Sequence, residues 1–353
     1  MLREVQQERC LLVDVAQAAS LAANLLVGAG ASESAAQIVA GHLVESDLVG
    51  VPSHGLMRVP QYLAEIAAGE IDPAAAPSRE RVSRARIWVE GNRSFGQVAA
   101  SFAVEEAAQA AAAAGVAVVT VRHAGHAGRI GAYVERLAGA GFFGLALCGG
   151  PRSGHWVAPF GGMEGRLATN PIAYAFPALD GPVVADFSTS AVPEGVVRRL
   201  RELGLTAPEG VLQDAAGRPT TEPGVLYAEP RGTILPLGGG HFGHKGFALG
   251  LLVEAMATLL AEDETADETR YGNNLALVAI ATDGGFEARA SRLAEYVRSS
   301  RPADPARPVL MPGDPERRAR EAAHGVPIDC ATWRMLAALA HERGVALPSP
   351  LTG

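Results

Sequence analysis

Cysteine is scarce in this 353-residue chain: Cys10, Cys148 and Cys330 are odd in number and far apart. A disulfide framework is not expected, and a reducing, cytoplasmic setting is. Basic charge is short as well. Thirty Lys and Arg stand against 38 Asp and Glu, a net charge of −8. No surplus exists to neutralise the phosphates of a nucleic acid or an anionic membrane. Long apolar runs are missing too. The opening MLREVQQERC carries charges where a signal peptide needs an apolar core. The most apolar helical stretch, Phe247 to Leu260, is short and holds Glu254. Neither a signal peptide nor a membrane span is expected.

Familiar catalytic motifs are also lacking. No G-x-S-x-G context presents a nucleophilic serine. Val116 to Leu147 has the size of a βαβ unit, but its turn runs Gly125, Gly128, Gly131 rather than G-x-G-x-x-G. Its second strand is followed by Cys148, where a dinucleotide fingerprint needs Asp or Glu for the ribose. A literal match at Gly238, Gly240 and Gly243 follows Pro236, and no acidic residue ends a suitable later strand. A standard Rossmann domain is therefore not the expected reading. These glycines serve equally well as tight turns.

What is present is a chain rich enough in apolar residues, at 48%, to build about two domains. Leu11 to Val27 and Ser32 to Val49 predict helices, broken at Gly28 and Gly30 and restarted by the Ser32 cap. Further helices are predicted at Phe95–Ala114, Ile130–Ala140, Lys245–Ala261, Glu287–Ser299 and Trp333–Arg343. Strands are predicted at Ile87–Glu90, Val116–Val121, Phe142–Leu147, Ile172–Phe176, Val183–Phe187 and Leu275–Ala281, with a loop from Leu205 to Pro230. The alternation indicates an α/β protein.

Three constellations can carry chemistry. In Pro52-Ser53-His54-Gly55-Leu56-Met57-Arg58-Val59-Pro60-Gln61-Tyr62, a helix capped by Ser53 would set His54, Arg58 and Tyr62 on one face, with a kink at Pro60. That face joins a proton carrier, a cation suited to a carboxylate, and a phenol. It reads equally as a surface helix with a few polar groups. His123 to Tyr133 follows a buried strand, where α/β proteins place ligands. His126 there can act as an acid/base group, or simply bond the backbone of a turn. Leu235 to Gly246 collects glycine N–H groups and Lys245 at the start of a helix, which suits a phosphate or is a flexible loop. The pairs His123/His126 and His241/His244 leave a zinc site open, but no Cys and no well-placed carboxylate accompanies them. No metal is expected.

Together these segments resemble the malate/L-lactate dehydrogenase family of the second type, which includes sulfolactate, ureidoglycolate and diketogulonate dehydrogenases and piperideine-carboxylate reductases. The marks are Asp47 to Gly50 leading into SHGLMR, His126-Ala-Gly128-Arg129, VAPFGG (Val157–Gly162) and ATNPIAYAFP (Ala168–Pro177). DFSTSA (Asp186–Ala191), DAAGRPTTEP (Asp214–Pro223), LPLGGG with GHKG, and MPGD (Met311–Asp314) complete the set. Their order and spacing are specific, and they span nearly the whole chain.

The resemblance implies a non-Rossmann, sulfolactate-dehydrogenase-like α/β fold: a mixed sheet with flanking helices, plus a helical N- and C-terminal region. Residues 1–82 with 287–353 would form the mainly helical substrate and dimer region, and 83–286 the sheet-containing cofactor region. It implies a homodimer that uses NAD or NADP and acts on a small-molecule 2-oxo or 2-hydroxy acid. His54, His126 and Ser53 fall on catalytic positions, and the matching histidine differs between members. Arg58, Tyr62, Thr169 and Asn170 fall where substrate binds. Asp186, Phe187, Ser188, Thr189, His244, Lys245, Gly246, Pro312, Gly313 and Asp314 fall around the cofactor. One departure stands out. Members often read ATSAVARGK where this chain reads STSAVPEGVV, so Glu194 replaces a cation and Val196 a lysine. The alternatives are a cyclic ketimine reductase of the same family, a zinc-dependent hydrolase and a nicotinamide-binding protein without turnover.

Overall fold

The computed structural model describes residues 11–265 and 271–351. Cys10 and the opening segment read for targeting lie outside the described residues.

The chain begins with β1 (Leu11–Val13), α1 (Val15–Val27) and α2 (Glu33–Leu48). Leu11–Val13 was expected to open the first helix. It is a strand instead, because Asp14 accepts from Gln17 N at 3.0 Å and starts the helix only after it. Ser32 caps α2 by accepting from Ala35 N at 3.2 Å, as its position predicted. Two 3₁₀ turns follow, Pro52–His54 and Leu56–Arg58, and then α3 (Val59–Ala67). His54, Arg58 and Tyr62 thus do not share one continuous helix. Pro60 causes no kink, because it falls in the first turn of α3, where a backbone N–H has no partner to lose.

The sheet region comprises β2 (Ser78–Arg81), β3 (Arg86–Glu90), α4 (Gly96–Ala114), β4 (Val116–Ala124), α5 (Gly131–Gly139), β5 (Phe142–Gly149), β6 (Pro171–Phe176) and β7 (Val183–Ser188). Then come α6 (Glu194–Glu202), the two-residue strands β8 (Leu212–Gln213) and β9 (Pro219–Thr220) inside the expected loop, and β10 (Thr233–Ile234). After α7 (Gly239–Val253), a π-helical turn at Glu254–Thr258 leads to β11 (Asn273–Ala281). α8 (Phe286–Arg298), α9 (Asp314–Ala322), β12 (Val326–Ile328) and α10 (Cys330–Arg343) close the chain, with β12 pairing back onto β1.

The main sheet has the order β2-β3-β4-β11-β5-β6-β7. Only β3 and β4 pair in parallel, joined by the α4 crossover. The apparent βαβ unit β4-α5-β5 is not a Rossmann half. β11 inserts between its two strands, antiparallel to both, so that Leu277 faces Val119 on one side and Ala146 on the other. Consecutive strand residues point to opposite faces. Ala146 and Leu277 therefore pack under α4, whose Ala99, Ala103 and Ala107 let the helix lie close. Leu147 and Ala276 pack on the other side against Val253 and Ala257. Each fully buried leucine contributes about 2 kcal/mol to this core. A second core joins α1, α2, α3 and α10.

By length and composition the 23-residue stretch Gly239–Ala261 could cross a membrane. Here its Gly243, Gly246, Gly250 and Val253 face the interior.

Candidate active site

Strand β7 is the last of the sheet, and its edge opens on a cleft of about 770 Å³. The wall opposite comes from the turn after α2, carrying Ser53 and His54, and from the start of α9. The volume is that of a ligand site. Asp186, Phe187 and Ser188 of β7 line it, with Thr169, Pro312 and Gly313. Its wall mixes charges: Arg129, Arg317 and Arg320 stand with Glu135, Asp186 and Glu316, and Arg129 and Arg320 pair with Glu135. Gly313, at φ 89°, begins α9, and a Cβ there would press on Val184 N at 3.1 Å. The helix therefore opens with no side-chain cap; Asp314 N donates to Met311 O, Arg317 N donates to Gly313 O, and Pro315 has no N–H.

At one end of the cleft the chemistry-bearing side chains converge. Ser53 Oγ lies 3.0 Å from His54 Nδ1. The His54 and His126 rings stack with centroids 5.5 Å apart. Tyr62 O–H meets His126 Nδ1 at 2.9 Å, and Gln97 Nε2 donates to the same phenol at 2.6 Å. Arg58 donates through Nε to Ser53 O and through Nη1 to Gln61 Oε1, each at 2.6 Å. Arg58, Tyr62 and His126 do not reach the cleft wall themselves; they stand against the turn that does.

Burial dominates the electrostatics. It depresses His54 from 6.5 to about 3, helped by Arg58 and Arg129. His126 is held well below its usual value by burial, then Arg58 and His54. Burial raises the Tyr62 phenol. Two neutral imidazoles therefore face each other beside a cation, an arrangement that gains from an arriving carboxylate. The supporting loop is held from behind. His42 Nε2 accepts from Arg129 N at 2.9 Å, and Gly128, at φ 72°, leaves room for the ring where a Cβ would come within 2.4 Å. Asp47 accepts from Leu56 N at 2.8 Å.

Several residues expected near ligand lie elsewhere. Asn170 is fully buried at φ 39°, its amide donating to Glu254 Oε1 at 2.8 Å and to Gly250 O at 3.2 Å. It shapes the turn that presents Thr169. Thr189 is buried and bonds back to Thr169 O at 3.3 Å. Asp314 turns inward to Arg298, Arg317 and Met311 N. His244, Lys245 and Gly246 lie on α7 away from this chain's cleft: His244 packs on Phe160, Lys245 over Phe242, and Gly246 under Leu237. Glu194 accepts from the Tyr227 hydroxyl at 2.8 Å. His123 pairs with Glu90 at 2.9 Å, and among the described residues no three His, Cys, Asp or Glu side chains converge on a metal position.

Gln97, His42, Asp47, Arg317 and Arg320 were not singled out for the site from the sequence. Gln97 had a signal. It shares the buried face of α4 with Ala100, Val104, Ala107 and Ala111, and a polar residue on that face needs a partner.

The model of the malate/L-lactate dehydrogenase family matches residues 13–337. The chain belongs to that family. It is an oxidoreductase of the 2-hydroxy acid dehydrogenase kind, with a nicotinamide cofactor implied. It is 34% identical over 350 residues to the L-lactate dehydrogenase of Cupriavidus necator, covering 96% of this chain and 99% of that one. It is 32% identical to hydroxycarboxylate dehydrogenase B of Escherichia coli, over 90% of each. The sulfolactate dehydrogenase structure from Methanocaldococcus jannaschii superimposes with a TM-score of 0.84 at 30% identity, covering 95% of this chain and 98% of the other. Mixed-sheet architecture without a dinucleotide fingerprint, expected from the resemblance, is what the fold shows.

Proposed function

We propose that this dehydrogenase interconverts a small 2-oxo acid and its 2-hydroxy acid, with NADH or NADPH held along the β7 edge. The observation that carries the reading is the convergence of His54, His126 and Arg58 beside the cleft, with His54 on its wall and Arg58 and His126 packed behind the same turn. Thr169, Asp186 to Ser188, Pro312 and Gly313 would hold the cofactor. The chemistry supplied by a reduced nicotinamide bound there is hydride delivery to a carbonyl carbon.

The chain's own residues do the rest. Arg58 grips the substrate carboxylate and fixes its orientation. A histidine passes a proton to the oxygen as negative charge develops on it. Ser53 and Tyr62 hold the two imidazoles in place. Substrate charge beside Arg58 offsets the effects that keep these imidazoles neutral, so protonation becomes easier once substrate is bound.

We propose further that the enzyme works as a homodimer. Leu251 and Leu252 on α7 and Leu259 in the 3₁₀ turn beyond it are 48%, 47% and 59% exposed, an apolar stripe that a second copy would cover. A role for His244 and Lys245 toward the cofactor would then fall to the partner's cleft.

The test is oxidation of NADH and NADPH, followed by absorbance, against a panel of 2-oxo acids and cyclic imines. Turnover with a 2-oxo acid is the expected result. Turnover confined to the imines would replace the reading with ketimine reduction, and absence of nicotinamide binding would remove it.

A further inference from the structure

The Tyr62 phenol stands between two partners and has one proton to give. Gln97 Nε2 donates into its oxygen at 2.6 Å, with Gln97 Oε1 buried and unpartnered; in this orientation of the amide the phenol proton goes to His126 Nδ1 at 2.9 Å. Tyr62 and Gln97 are each 1% exposed, which leaves no room for water to rearrange the chain of bonds. A neutral imidazole that accepts at Nδ1 carries its own proton on Nε2. His126 cannot then become an imidazolium without breaking the bond to Tyr62, because protonated Nδ1 would face a hydroxyl whose proton has no other acceptor.

His54 differs in this respect. Its Nδ1 partner is Ser53 Oγ at 3.0 Å, a hydroxyl that can rotate to donate or accept. His54 can gain and lose a proton and keep this bond in both states.

We propose that Gln97 is a positioning residue that locks His126 as a neutral Nε2–H donor, dividing the labour between the stacked histidines. His126 offers a fixed hydrogen bond to the substrate oxygen, and His54 carries the proton that cycles. This rests on the reading above that a histidine protonates that oxygen. The donor is oriented in advance, so it strengthens as charge builds on the oxygen and needs no rearrangement at that moment.

Nitrogen NMR of the ¹⁵N-histidine-labelled enzyme tests the lock without any turnover, so a failed substrate assay leaves this test intact. The expected spectrum shows His126 with a protonated Nε2 and a bare Nδ1 throughout pH 5 to 8. In Gln97→Glu, once the carboxyl is ionised, it accepts from the phenol, the phenol accepts from His126 Nδ1–H, and the tautomer reverses. In that variant kcat should fall about a hundredfold while substrate KM stays within a few-fold. Gln97→Met, which removes the donor but keeps the bulk, should show mixed tautomers. A wild-type His126 protonated on Nδ1, or one that titrates across neutral pH, overturns the proposal. So does a Gln97→Met enzyme whose His126 keeps the single Nε2–H tautomer.

Discussion

The carboxyl group of Asp47 lies flat against the Cα of Gly55. A Cβ at position 55 would sit 2.0 Å from Asp47 Oδ1, and the same carboxyl accepts from Leu56 N at 2.8 Å. The end of α2 thus clamps the turn that carries Ser53 and His54. Gly55 has φ −91°, an ordinary backbone conformation, so space rather than conformation demands glycine here. Gly55→Ala should cost about 2 kcal/mol of stability, since the buried carboxyl has to move, and should lower kcat by displacing His54. Thermal unfolding and steady-state kinetics check both effects. A variant that melts and turns over like wild type would show that the clamp does not set the turn.

The same carboxyl makes stability depend on pH in an unusual direction. Burial lifts Asp47 from 3.8 to about 8, although the Leu56 N–H pulls it the other way. Between those two values the folded chain keeps a proton that the unfolded chain has released. The contribution of this group is fully present at acid pH and is lost as pH rises from about 4 to about 8. Asp47→Asn keeps an acceptor for Leu56 N and removes the titration. Urea unfolding at pH 5 and pH 8 should show wild type losing ground to Asp47→Asn at the higher pH. The opposite trend would place the Asp47 proton elsewhere.

The kinetic roles separate by which constant moves. His54→Ala and His126→Ala should each lower kcat by about two orders of magnitude. Arg58 spends Nε and Nη1 on Ser53 O and Gln61, which leaves Nη2 for a carboxylate. Arg58→Lys should raise KM about tenfold, the loss of roughly one charge-assisted hydrogen bond, with kcat less affected. An unchanged KM in the lysine enzyme would rule against the carboxylate grip, and near-normal turnover in both histidine variants would remove them from the chemistry.

Much of the fold is legible in local pattern. The β-branched run VAVVTV and the alanine-rich segment ending at Ala114 were readable as strand and helix because each matches one period. The insertion of β11 between β4 and β5 was not, since pairing partners more than a hundred positions away, such as Asn274 and Gly149, leave no local mark. Asp14 and the β1–β12 pair show the same limit on a smaller scale: Leu11 to Val13 is apolar enough for either element, and its partner lies near the other end of the chain. At the site, His54, Arg58, Tyr62 and His126 could be picked out by residue type and by position after turns. Their mutual geometry could not, because it rests on Pro60 starting α3 late and on buried groups such as Gln97 and His42. Asn170 and Asp314 sit in segments that border the cleft, yet both point inward to shape the turns beside it.

The exposed face of α7 carries the remaining expectation. Leu251 and Leu252 are about half exposed, while Gly250 and Val253 on the same turn are buried. Replacing both leucines by glutamate therefore leaves the interior face of the helix untouched and should not cost the fold. It places two like charges in the middle of the stripe proposed to meet a second copy, where each would lose water without gaining a partner. Light scattering on the wild-type protein should return twice the chain mass, and on Leu251→Glu/Leu252→Glu the mass of one chain at an unchanged circular dichroism spectrum. If Lys245 acts on the partner's cleft, nicotinamide KM should rise in the monomeric variant and also in Lys245→Ala, which should remain dimeric. A wild-type protein of single-chain mass with full turnover would show that α7 faces water in the working enzyme.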